Sequence, residues 1–380
     1  MRIYLDHNAT TPLHPEVAEV MTRVLRDCPG NPSSTHFEGA EARAVVERAR
    51  AQVASLLGCE PDEVLFTSGA TEANNTVLLS LLAGARPGHV LSSSVEHPSV
   101  EAPLQVLEAA GWRVTRVGVG SGGCLEVSDV EAAIEADTTL ISLIWANNET
   151  GVIQPVEQVA ELAKSRGVRL HVDATQRVGK LPVDLCRVPA DLLALSAHKL
   201  QGPKGTGCLV ARRGLELEPL LRGGPQERSR RGGTENVAGI AGLGAACALA
   251  QTELSQRADQ MARLRDRLWE GIAAKIPGVV RNGNAERVLP NTLNVRFDAL
   301  AGELLLQALD LEGIAASSGA ACHSGSIEPS AVLTAMGLSA QQARGSLRFS
   351  TGHGNDECQI DAVLALLPDL VQRCREAGDT

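Results

Sequence analysis

The sequence predicts an α/β protein in which a large domain with a mainly parallel seven-stranded sheet is followed by a smaller α+β domain. Strand-like and helical patterns alternate along the first part of the chain, which is typical of a parallel sheet covered by helices. A polar stretch with four Arg and four Gly, residues 222–235, then interrupts the alternation before a long helical pattern begins. We therefore expect the chain to change domain soon after this stretch.

Short runs rich in apolar residues predict the seven strands of the sheet. They are Val64–Phe66, His89–Leu91, Arg113–Val117, Leu140–Ile144, Arg169–Val172, Asp191–Leu195 and Gly207–Val210. Helices are expected between several of these strands. Apolar residues at helical spacing predict one over Glu38–Leu57, and another opens near Glu72.

A long helix, from about Val237 to Lys275, is predicted to lead into the second domain. Two further strands are expected there, at Thr292–Val295 and Gly345–Phe349. The predicted domains are residues 12–255 for the large one and residues 1–11 with 256–380 for the small one.

Composition and charge argue against several classes of protein. The 380 residues carry a formal net charge of −10, which disfavours a nucleic-acid or anionic-membrane partner. No apolar run reaches the roughly 18 residues of a membrane span, and the N-terminus lacks the apolar core of a signal peptide, so we expect a cytoplasmic protein. The nine Cys are odd in number, widely spaced and without a C-x-x-C pair, which predicts neither a disulfide framework nor a metal site.

Lys199 is the most informative single residue. Only five of the 35 basic residues are lysines, so a lysine in this chain suggests chemistry that Arg cannot perform. A desolvated Lys can lose its proton and attack a carbonyl, whereas Arg keeps its proton. Lys199 stands between the apolar run Asp191–Leu195 and the glycine-rich loop Gly202–Gly207, a place where α/β proteins put active-site groups. The alternative is a solvated surface lysine.

A predicted strand runs into Ser68-Gly-Ala-Thr-Glu72, which suggests a phosphate-binding cradle. The glycine permits a tight turn, and the free N–H groups and dipole of the following helix then face an anion. An ordinary helix N-cap explains the same pattern.

Three residues suggest a planar cofactor ring with a cationic nitrogen. Asp173 ends a buried strand, where an acid needs a cationic partner such as a protonated pyridine nitrogen. Gln176 can donate to a ring oxygen, and His97, after a strand-like run, can stack on the ring and move protons. The alternatives are a helix N-cap for Asp173 and a structural role for His97.

A thiol and a guanidinium complete the candidates. Among the nine cysteines, Cys322 alone lies in a long run of small residues, 316–330, which suits an exposed nucleophile that must travel, and His323 can help to form its thiolate. Arg348 alternates with apolar neighbours, as expected of an arginine that is directed into a pocket and binds a carboxylate. Arg344 is expected on the surface.

The glycine run Gly118–Gly123 formally matches the dinucleotide-binding pattern G-x-G-x-x-G. A dinucleotide site needs a helix that begins within the motif, and none is predicted there. We expect a surface turn, and nothing else in the sequence supports an NAD enzyme.

Together these segments resemble the cysteine desulfurases of the NifS/IscS type, in the class V aminotransferase family of pyridoxal 5'-phosphate (PLP) enzymes. The resemblance runs from Tyr4 to Arg348, almost the whole chain, and implies fold-type I of the PLP-dependent transferases. Its motifs are Tyr4–Pro12, Gly30–Ser34, Phe66–Glu72, Glu96-His97, Asn147–Gly151, His171–Ala174, Ser196–Lys199, Gly202–Gly205, Arg231–Asn236 and the Cys322 loop.

The resemblance implies a role for each candidate residue. Lys199 binds PLP covalently and, once released, removes the Cα proton, while His97 stacks on the ring and takes part in proton transfer. Asp173 pairs with the pyridine nitrogen, and Gln176 contacts the ring hydroxyl. The remaining roles are phosphate binding by Ala70, Thr71, Ser196 and His198, phosphate binding in the partner subunit of a homodimer by Thr234, carboxylate binding by Asn148 and Arg348, and sulfur acceptance by Cys322.

The implied reaction converts L-cysteine to L-alanine and leaves a persulfide on Cys322. The sulfur then passes to an acceptor protein in iron–sulfur cluster assembly, tRNA thiolation or DNA sulfur modification. Two positions depart from the family pattern, Thr175 and Pro225, but neither removes a group that the mechanism needs. The run Gly319–Ser324 also resembles the selenocysteine lyases, so such a lyase, or another class V enzyme, is the alternative. A catalytically silent sulfur-relay protein is a further alternative, which the presence of both Lys199 and Cys322 disfavours.

Overall fold

The computed structural model describes residues 2–84, 86–318 and 329–378, so Cys322 and His323 lie outside the described residues. Over these ranges the chain forms twelve strands and eleven α-helices. The strands are β1 (Ile3–Tyr4), β2 (Val64–Thr67), β3 (His89–Ser93), β4 (Arg113–Val117), β5 (Thr138–Ile144), β6 (Arg169–Asp173), β7 (Leu192–Ser196), β8 (Gly207–Ala211), β9 (Val279–Arg281), β10 (Thr292–Phe297), β11 (Ile314–Ala315) and β12 (Ser346–Ser350). The helices are α1 (Pro15–Asp27), α2 (Phe37–Leu57), α3 (Ala70–Ser80), α4 (Pro98–Ala109), α5 (Val127–Ala133), α6 (Val156–Arg166), α7 (Val237–Lys275), α8 (Gly302–Leu311), α9 (Ala331–Ala335), α10 (Ala340–Arg344) and α11 (Glu357–Gly378).

Seven strands of the described chain form the central sheet, in the order β2-β8-β7-β6-β5-β3-β4. Neighbouring strands from β4 to β7 run parallel, while β8 is antiparallel to both β7 and β2. The predicted mainly parallel sheet is therefore confirmed, and each of its seven predicted segments contributes a strand. The carboxyl ends of β5, β6 and β7 lie side by side, because Asp173 pairs with Ile144 on one side and Ala194 on the other. Parallel α/β sheets place their ligands at this edge.

The two long predicted helices begin and end within one residue of the prediction. The side chain of His36 accepts a backbone N–H in the first turn of α2, and Gly58 ends that helix in the left-handed region, with φ 65°. Asn236 accepts a backbone N–H at the start of α7. The helix expected near Glu72 begins at Ala70.

The sheet is covered on both faces, and a separate core lies in the C-terminal part of the chain. On one face β5, β6 and β7 pack against α2, α6 and the first half of α7, and on the other β2, β3 and β8 pack against α3 and α4. The separate core contains the second half of α7, β10, β12, α8, α11 and also Leu5. Helix α7 joins the cores, with Leu243 in the first and Leu268 in the separate one.

One stretch of α7 is apolar enough, by length and composition, to cross a membrane. The mean hydropathy of this stretch is 1.4, and 56% of it is buried within the protein. The cores on either side of α7 account for this composition, since a helix that packs on several sides is apolar around most of its circumference.

The N-terminal segment connects the smaller sheets to the edge of the central one. β1 pairs in parallel with β11, and Asp6 forms a bridge with Ser350 at the end of β12. β12 in turn belongs to an antiparallel sheet with β10 and β9. The following residues, 8–10, then line the cavity at the ends of β6 and β7.

The glycine run after β4 forms a turn. The N–H of Gly123 donates to the main-chain oxygen of Gly120 at 2.8 Å, and α5 begins only at Val127. The structure thus confirms the surface turn predicted from the sequence.

Candidate active site

A cavity of about 710 Å³ opens at the carboxyl ends of β5, β6 and β7. The starts of α3 and α4 and the segment after β1 complete its wall. Most of the predicted site residues line it: Ala70, Thr71, His97, Asn148, Asp173, Gln176, Ser196, His198, Lys199 and Arg348. Thr234 is not among the lining residues.

Lys199 lies in a short 3-10 turn directly after β7. Its Nζ donates to the main-chain oxygens of Asn8 at 2.6 Å and Ala9 at 2.7 Å. Burial, with a smaller contribution from the charge of Arg348, lowers the pKa of this amine to about 8, although the carboxylates of Asp6 and Asp173 oppose the shift. A lysine with this pKa has an appreciable free-amine fraction near neutral pH, so it can attack a carbonyl.

Asp173 is a buried carboxylate at the end of β6. Oδ2 accepts a hydrogen bond from Asn74 Nδ2 at 2.8 Å, and Oδ1 accepts one from the N–H of Thr175 at 3.0 Å. The second bond closes a turn, so the alternative of an α-helix N-cap is wrong. Asp173 forms no ion pair with the described residues. A buried acid without a cation fits a protonated pyridine nitrogen.

His97 lines the cavity and is also the N-cap of α4. The structural role that the sequence left open for this residue is therefore present as well. Nδ1 accepts the N–H of Ser99 at 3.1 Å and lies 2.8 Å from that residue's hydroxyl oxygen. Burial lowers the pKa of the imidazole, with Lys199 adding to the effect and Asp173 opposing it. Because Nδ1 accepts a backbone N–H, the neutral ring carries its proton on Nε2.

The candidate cradle, the first turn of α3, follows β2 as predicted. Residues 68–71 line the cavity, and α3 begins among them. The carboxylate of Glu72 accepts the N–H of Ser68 at 2.8 Å and a hydrogen bond from Arg231 Nε at 3.0 Å. The 222–235 stretch is therefore fastened to the cradle through Arg231.

Two further predicted phosphate ligands lie beside the cradle. Ser196 ends β7, and a Cβ on Gly69 would lie 3.6 Å from its hydroxyl oxygen. His198 Nδ1 lies 3.1 Å from Thr10 Oγ1. Burial and the neighbouring lysines lower the pKa of His198 to about 4, so its ring is neutral at physiological pH.

Sequence reasoning missed two polar residues at this site, Asn8 and Lys180. Gln176 Nε2 donates to the main-chain oxygen of Asn8 at 3.0 Å, and Lys180 Nζ donates to Gln176 Oε1 at 2.5 Å. The sequence contains a signal for each of them. Lys180 is one of only five lysines and lies four residues after Gln176, and Asn8 lies within the Tyr4–Pro12 motif.

Arg348 is buried on the cavity wall, as predicted. Nη2 donates to Asp6 Oδ1 at 2.7 Å and Nη1 to the main-chain oxygen of Asn148 at 2.9 Å, while Nε is buried without a partner in the described chain. Its guanidinium is held in position by these contacts and keeps donors for a carboxylate. Arg344, at the end of α10, is exposed, as predicted.

Both described ends of the segment that carries Cys322 are fastened to the cavity wall. Ser317 exchanges two backbone hydrogen bonds with Arg348, at 2.6 and 3.1 Å. Ser330 Oγ donates to Glu149 Oε2 at 2.5 Å. Burial raises the pKa of Glu149 to about 7, although Ser330 and Arg348 oppose this shift.

Thr234 is exposed on the 222–235 stretch and is not among the residues that line the cavity. That stretch contains three consecutive non-glycine residues with positive φ, 227–229. The carboxylate of Glu227 accepts two hydrogen bonds from Arg50, at 2.8 and 3.0 Å, and both side chains are buried. This ion pair holds the strained turn that precedes Thr234.

The donor set of the cavity fits PLP. Lys199 offers an amine for the aldehyde. Asp173 offers the ring nitrogen a carboxylate that forms no ion pair with the described residues, and the first turn of α3 offers the phosphate free N–H groups.

Comparison with known proteins agrees with this geometry. Residues 3–363 match the family "Aminotransferase class-V". A "Cysteine desulfurase" of Nostoc sp. is 45% identical over 98% of this chain and 94% of its own length. A solved "NIFS-LIKE PROTEIN" has a TM-score of 0.93 at 37% identity and covers 98% of this chain and 100% of its own. A structure titled "SspA in complex with cysteine" has a TM-score of 0.83 at 34% identity over 93% of this chain and 99% of its own. The chain therefore belongs to the class-V aminotransferase family, in the group of NifS-like, PLP-dependent cysteine desulfurases.

Proposed function

We propose that this protein is a cysteine desulfurase that converts L-cysteine to L-alanine and moves the sulfur onto Cys322. One observation carries the proposal: Lys199, Asp173 and Arg348 face a single cavity, and the same wall holds both described ends of the segment that contains Cys322. The cysteine-bound relative at 34% identity supports the substrate.

Different residues of the cavity would bind different parts of the cofactor. Lys199 would bind the aldehyde carbon, Asp173 the ring nitrogen, and Gln176 Nε2 the ring hydroxyl. The phosphate would lie against Ala70, Thr71, Ser196 and His198. When bound, PLP withdraws electrons from the substrate's Cα and so makes its proton acidic.

Arg348 and Asn148 orient the substrate through its carboxylate. Arg348 can bind a carboxylate with the N–H groups that its contacts with Asp6 and Asn148 leave free. Lys199, once released from the cofactor, accepts the Cα proton, and its lowered pKa favours the free amine. His97, neutral and protonated on Nε2, can pass a proton within the same cavity.

The sulfur step uses a thiolate of the enzyme. The Cys322 thiolate attacks the sulfur of the bound substrate, an S–S bond forms, and the C–S bond breaks. The electron pair of the C–S bond stays on the substrate's Cβ, which takes up a proton and becomes a methyl group. Lys199 returns a proton to Cα, and the product is alanine. The persulfide on Cys322 is then the donor for an acceptor protein.

The finer assignments follow from the sequence and are part of the proposal. We propose a homodimer, in which exposed Thr234 reaches the phosphate of the other subunit, and an acceptor protein that serves iron–sulfur cluster assembly or another thiolation reaction. The net charge of −10 and the eight free cysteines among the described residues fit a reducing, cytoplasmic location.

The test combines a spectrum with product analysis. The purified protein is expected to absorb in the near-visible range, to lose that band in Lys199→Ala, and to release alanine and sulfide from L-cysteine under reductant. In Cys322→Ser, PLP and cysteine binding should survive while sulfide production collapses. Cys358→Ser, which removes an exposed thiol of α11, is the matched control and should keep full turnover.

Two results would contradict the proposal. A protein that PLP cannot reconstitute would exclude the cofactor. Alanine formation from selenocysteine but not from cysteine would favour the selenocysteine lyase.

A further inference from the structure

Lys180 is a buried basic group without a counter-ion in the described part of the chain. Only 3% of it is exposed, and its Nζ donates to two neutral amide oxygens, Gln176 Oε1 at 2.5 Å and Asn8 Oδ1 at 3.3 Å. Burial, together with the charges of Lys199 and Arg348, lowers the pKa of Lys180 well below its usual value. Burying such a group costs free energy, so its presence beside the cavity calls for a role.

The titratable residues that line a small cavity beside Lys180 are also basic. This cavity of about 40 Å³ shares Lys199 with the wall of the main cavity, and Lys180 lines it together with His7, Arg257 and His353. The described residues place no carboxylate on its wall. Lys180 therefore faces amide oxygens on one side and basic groups on the other.

Lys180 and the main-chain oxygen of Asn8 hold the Gln176 amide from its two ends. The Nζ atom lies against Oε1, while Nε2 donates to the main-chain oxygen of Asn8 at 3.0 Å. In the reversed amide, N–H groups would face the amine of Lys180 and the oxygen would face a carbonyl oxygen, so both contacts would be unfavourable. The observed orientation leaves the second N–H of Nε2 for a group in the cavity that Gln176 lines.

We propose that Lys180 is a positioning residue for PLP: by holding Oε1 of Gln176, it keeps an N–H donor directed at the ring hydroxyl and stabilises that oxygen as an anion. The inference rests on the proposed function, in which Gln176 contacts this hydroxyl. Without Lys180, Oε1 of Gln176 loses its partner, and only the bond from Nε2 to the main-chain oxygen of Asn8 still holds the amide. The hydroxyl oxygen then becomes more basic and holds a proton to higher pH.

The test is a pH titration of the near-visible absorption band of the PLP-loaded protein. Lys180→Met should raise the midpoint of this titration by about half to one pH unit, the shift that the net free energy of one hydrogen bond predicts. It should also weaken PLP binding about three- to tenfold. Lys180→Arg, which keeps a donor and a charge, should stay closer to the wild-type midpoint. Lys164→Met, at an exposed lysine of α6, is the matched control and should titrate like the wild type.

A double variant separates a positioning role from a direct one. In a Gln176→Ala background, Lys180→Met should produce no further shift, since the amide through which it acts is gone. An unchanged midpoint in Lys180→Met, or an equal shift in both backgrounds, would overturn the inference. Lys180→Ala, which admits water beside the lost amine, replaces the Met variant if that variant does not fold. A wild-type protein without the band would instead contradict the PLP assignment itself.

Discussion

Lys199 rests on main-chain carbonyls rather than on a carboxylate. The oxygens of Asn8 and Ala9 accept its N–H groups at 2.6 and 2.7 Å. Carbonyl oxygens accept from an ammonium and from a neutral amine alike, so they fix the position of Nζ without the full charge stabilisation of an ion pair. This arrangement keeps the amine in place while burial keeps its pKa low.

The lowered pKa of Lys199 predicts the pH dependence of cofactor capture. With a pKa of about 8, about one tenth of the amine is free at pH 7, against about one part in 2,500 for an ordinary lysine. Because the pKa of Lys199 is lowered to about 8, the amine becomes protonated below that pH and is no longer nucleophilic. The rate constant for growth of the near-visible band after mixing apoprotein with PLP should rise to about pH 8 and then level off.

The control for this prediction is the reaction of PLP with N-α-acetyl-lysine, whose amine has an ordinary pKa. It corrects for the ionisation of PLP itself and should keep accelerating up to about pH 10. An enzyme rate that climbs in parallel with the control above pH 8 would contradict the assigned environment of Lys199.

The sequence predicted the site residues at the strand ends of the central sheet but missed Asn8 and Lys180. Asp173, Ser196 and Lys199 follow apolar runs, and the ends of neighbouring parallel strands meet at one edge, so their proximity could be expected. Asn8 contacts residues more than a hundred positions away, and no local pattern encodes such contacts. Lys180 lies in a turn, where neither helical nor strand periodicity indicates burial.

At the scale of elements, β8 packs directly against the cradle. Gly207 lies between Thr67 of β2 and Ser196 of β7 in the sheet. A Cβ on Gly207 would lie 2.5 Å from the main-chain oxygen of Leu195 and 2.6 Å from Gly69 Cα. All of these close neighbours are backbone atoms, so a rotamer change cannot relieve the contact.

Gly207→Ala is expected to damage stability and cofactor binding together. Forcing β8 away from the cradle should lower the free energy of unfolding by about 1–3 kcal/mol, as in other overpacked interiors. The displaced cradle should also bind PLP more weakly. Thermal unfolding of the apoprotein and titration with PLP measure the two effects.

Gly120→Ala is the matched control, because its Cβ would meet nothing within 4 Å. It lies in the exposed turn after β4, so both stability and PLP affinity should stay near wild type. Normal PLP binding by Gly207→Ala would mean that the cradle tolerates a shift of β8.

Long or strongly apolar strands and helices could be predicted from the sequence, whereas very short ones could not. The seven strands of the central sheet could be predicted because they are apolar runs, and α2 and α7 because their amphipathic or apolar patterns are long. The antiparallel direction of β8 could not, since direction depends on the connection and not on the strand's residues. β1 and β11, with two residues each, are too short to carry a periodic pattern.

At the scale of the whole molecule, the 222–235 stretch links the cradle to an exposed surface. Arg231 binds Glu72 at the cradle, the Arg50–Glu227 pair holds the strained turn, and Thr234 is exposed beyond them. Rigid support of an exposed residue is what a contribution to a neighbouring subunit requires.

A hybrid dimer tests whether Thr234 acts across the subunit boundary. Thr234→Ala alone should weaken PLP binding about tenfold or more, the effect of losing a hydrogen bond to a charged group, while thermal unfolding of the apoprotein stays unchanged. In a hybrid with Lys199→Ala subunits, the intact Thr234 of those subunits should restore affinity at the remaining lysine. Only the site with Lys199 produces the near-visible band, so the band reports on that site alone.

The hybrid is made by co-expression with two different tags, and sedimentation gives its size. A protein that sediments as a monomer, or a hybrid that binds PLP as weakly as Thr234→Ala itself, would contradict the proposed dimer contact.

The pairing of the N-terminal segment with the end of the chain also sets when the site can form during synthesis. Ile3 pairs with Ile314 and Asp6 with Ser350, so the residues of this segment are synthesised long before the residues with which they pair. Residues 8 and 9, which hold the amine of Lys199, are positioned by those late contacts. An incomplete chain therefore contains Lys199, but the main-chain oxygens that hold its amine are not yet in position. The site can therefore form fully only after Ser350 has been synthesised.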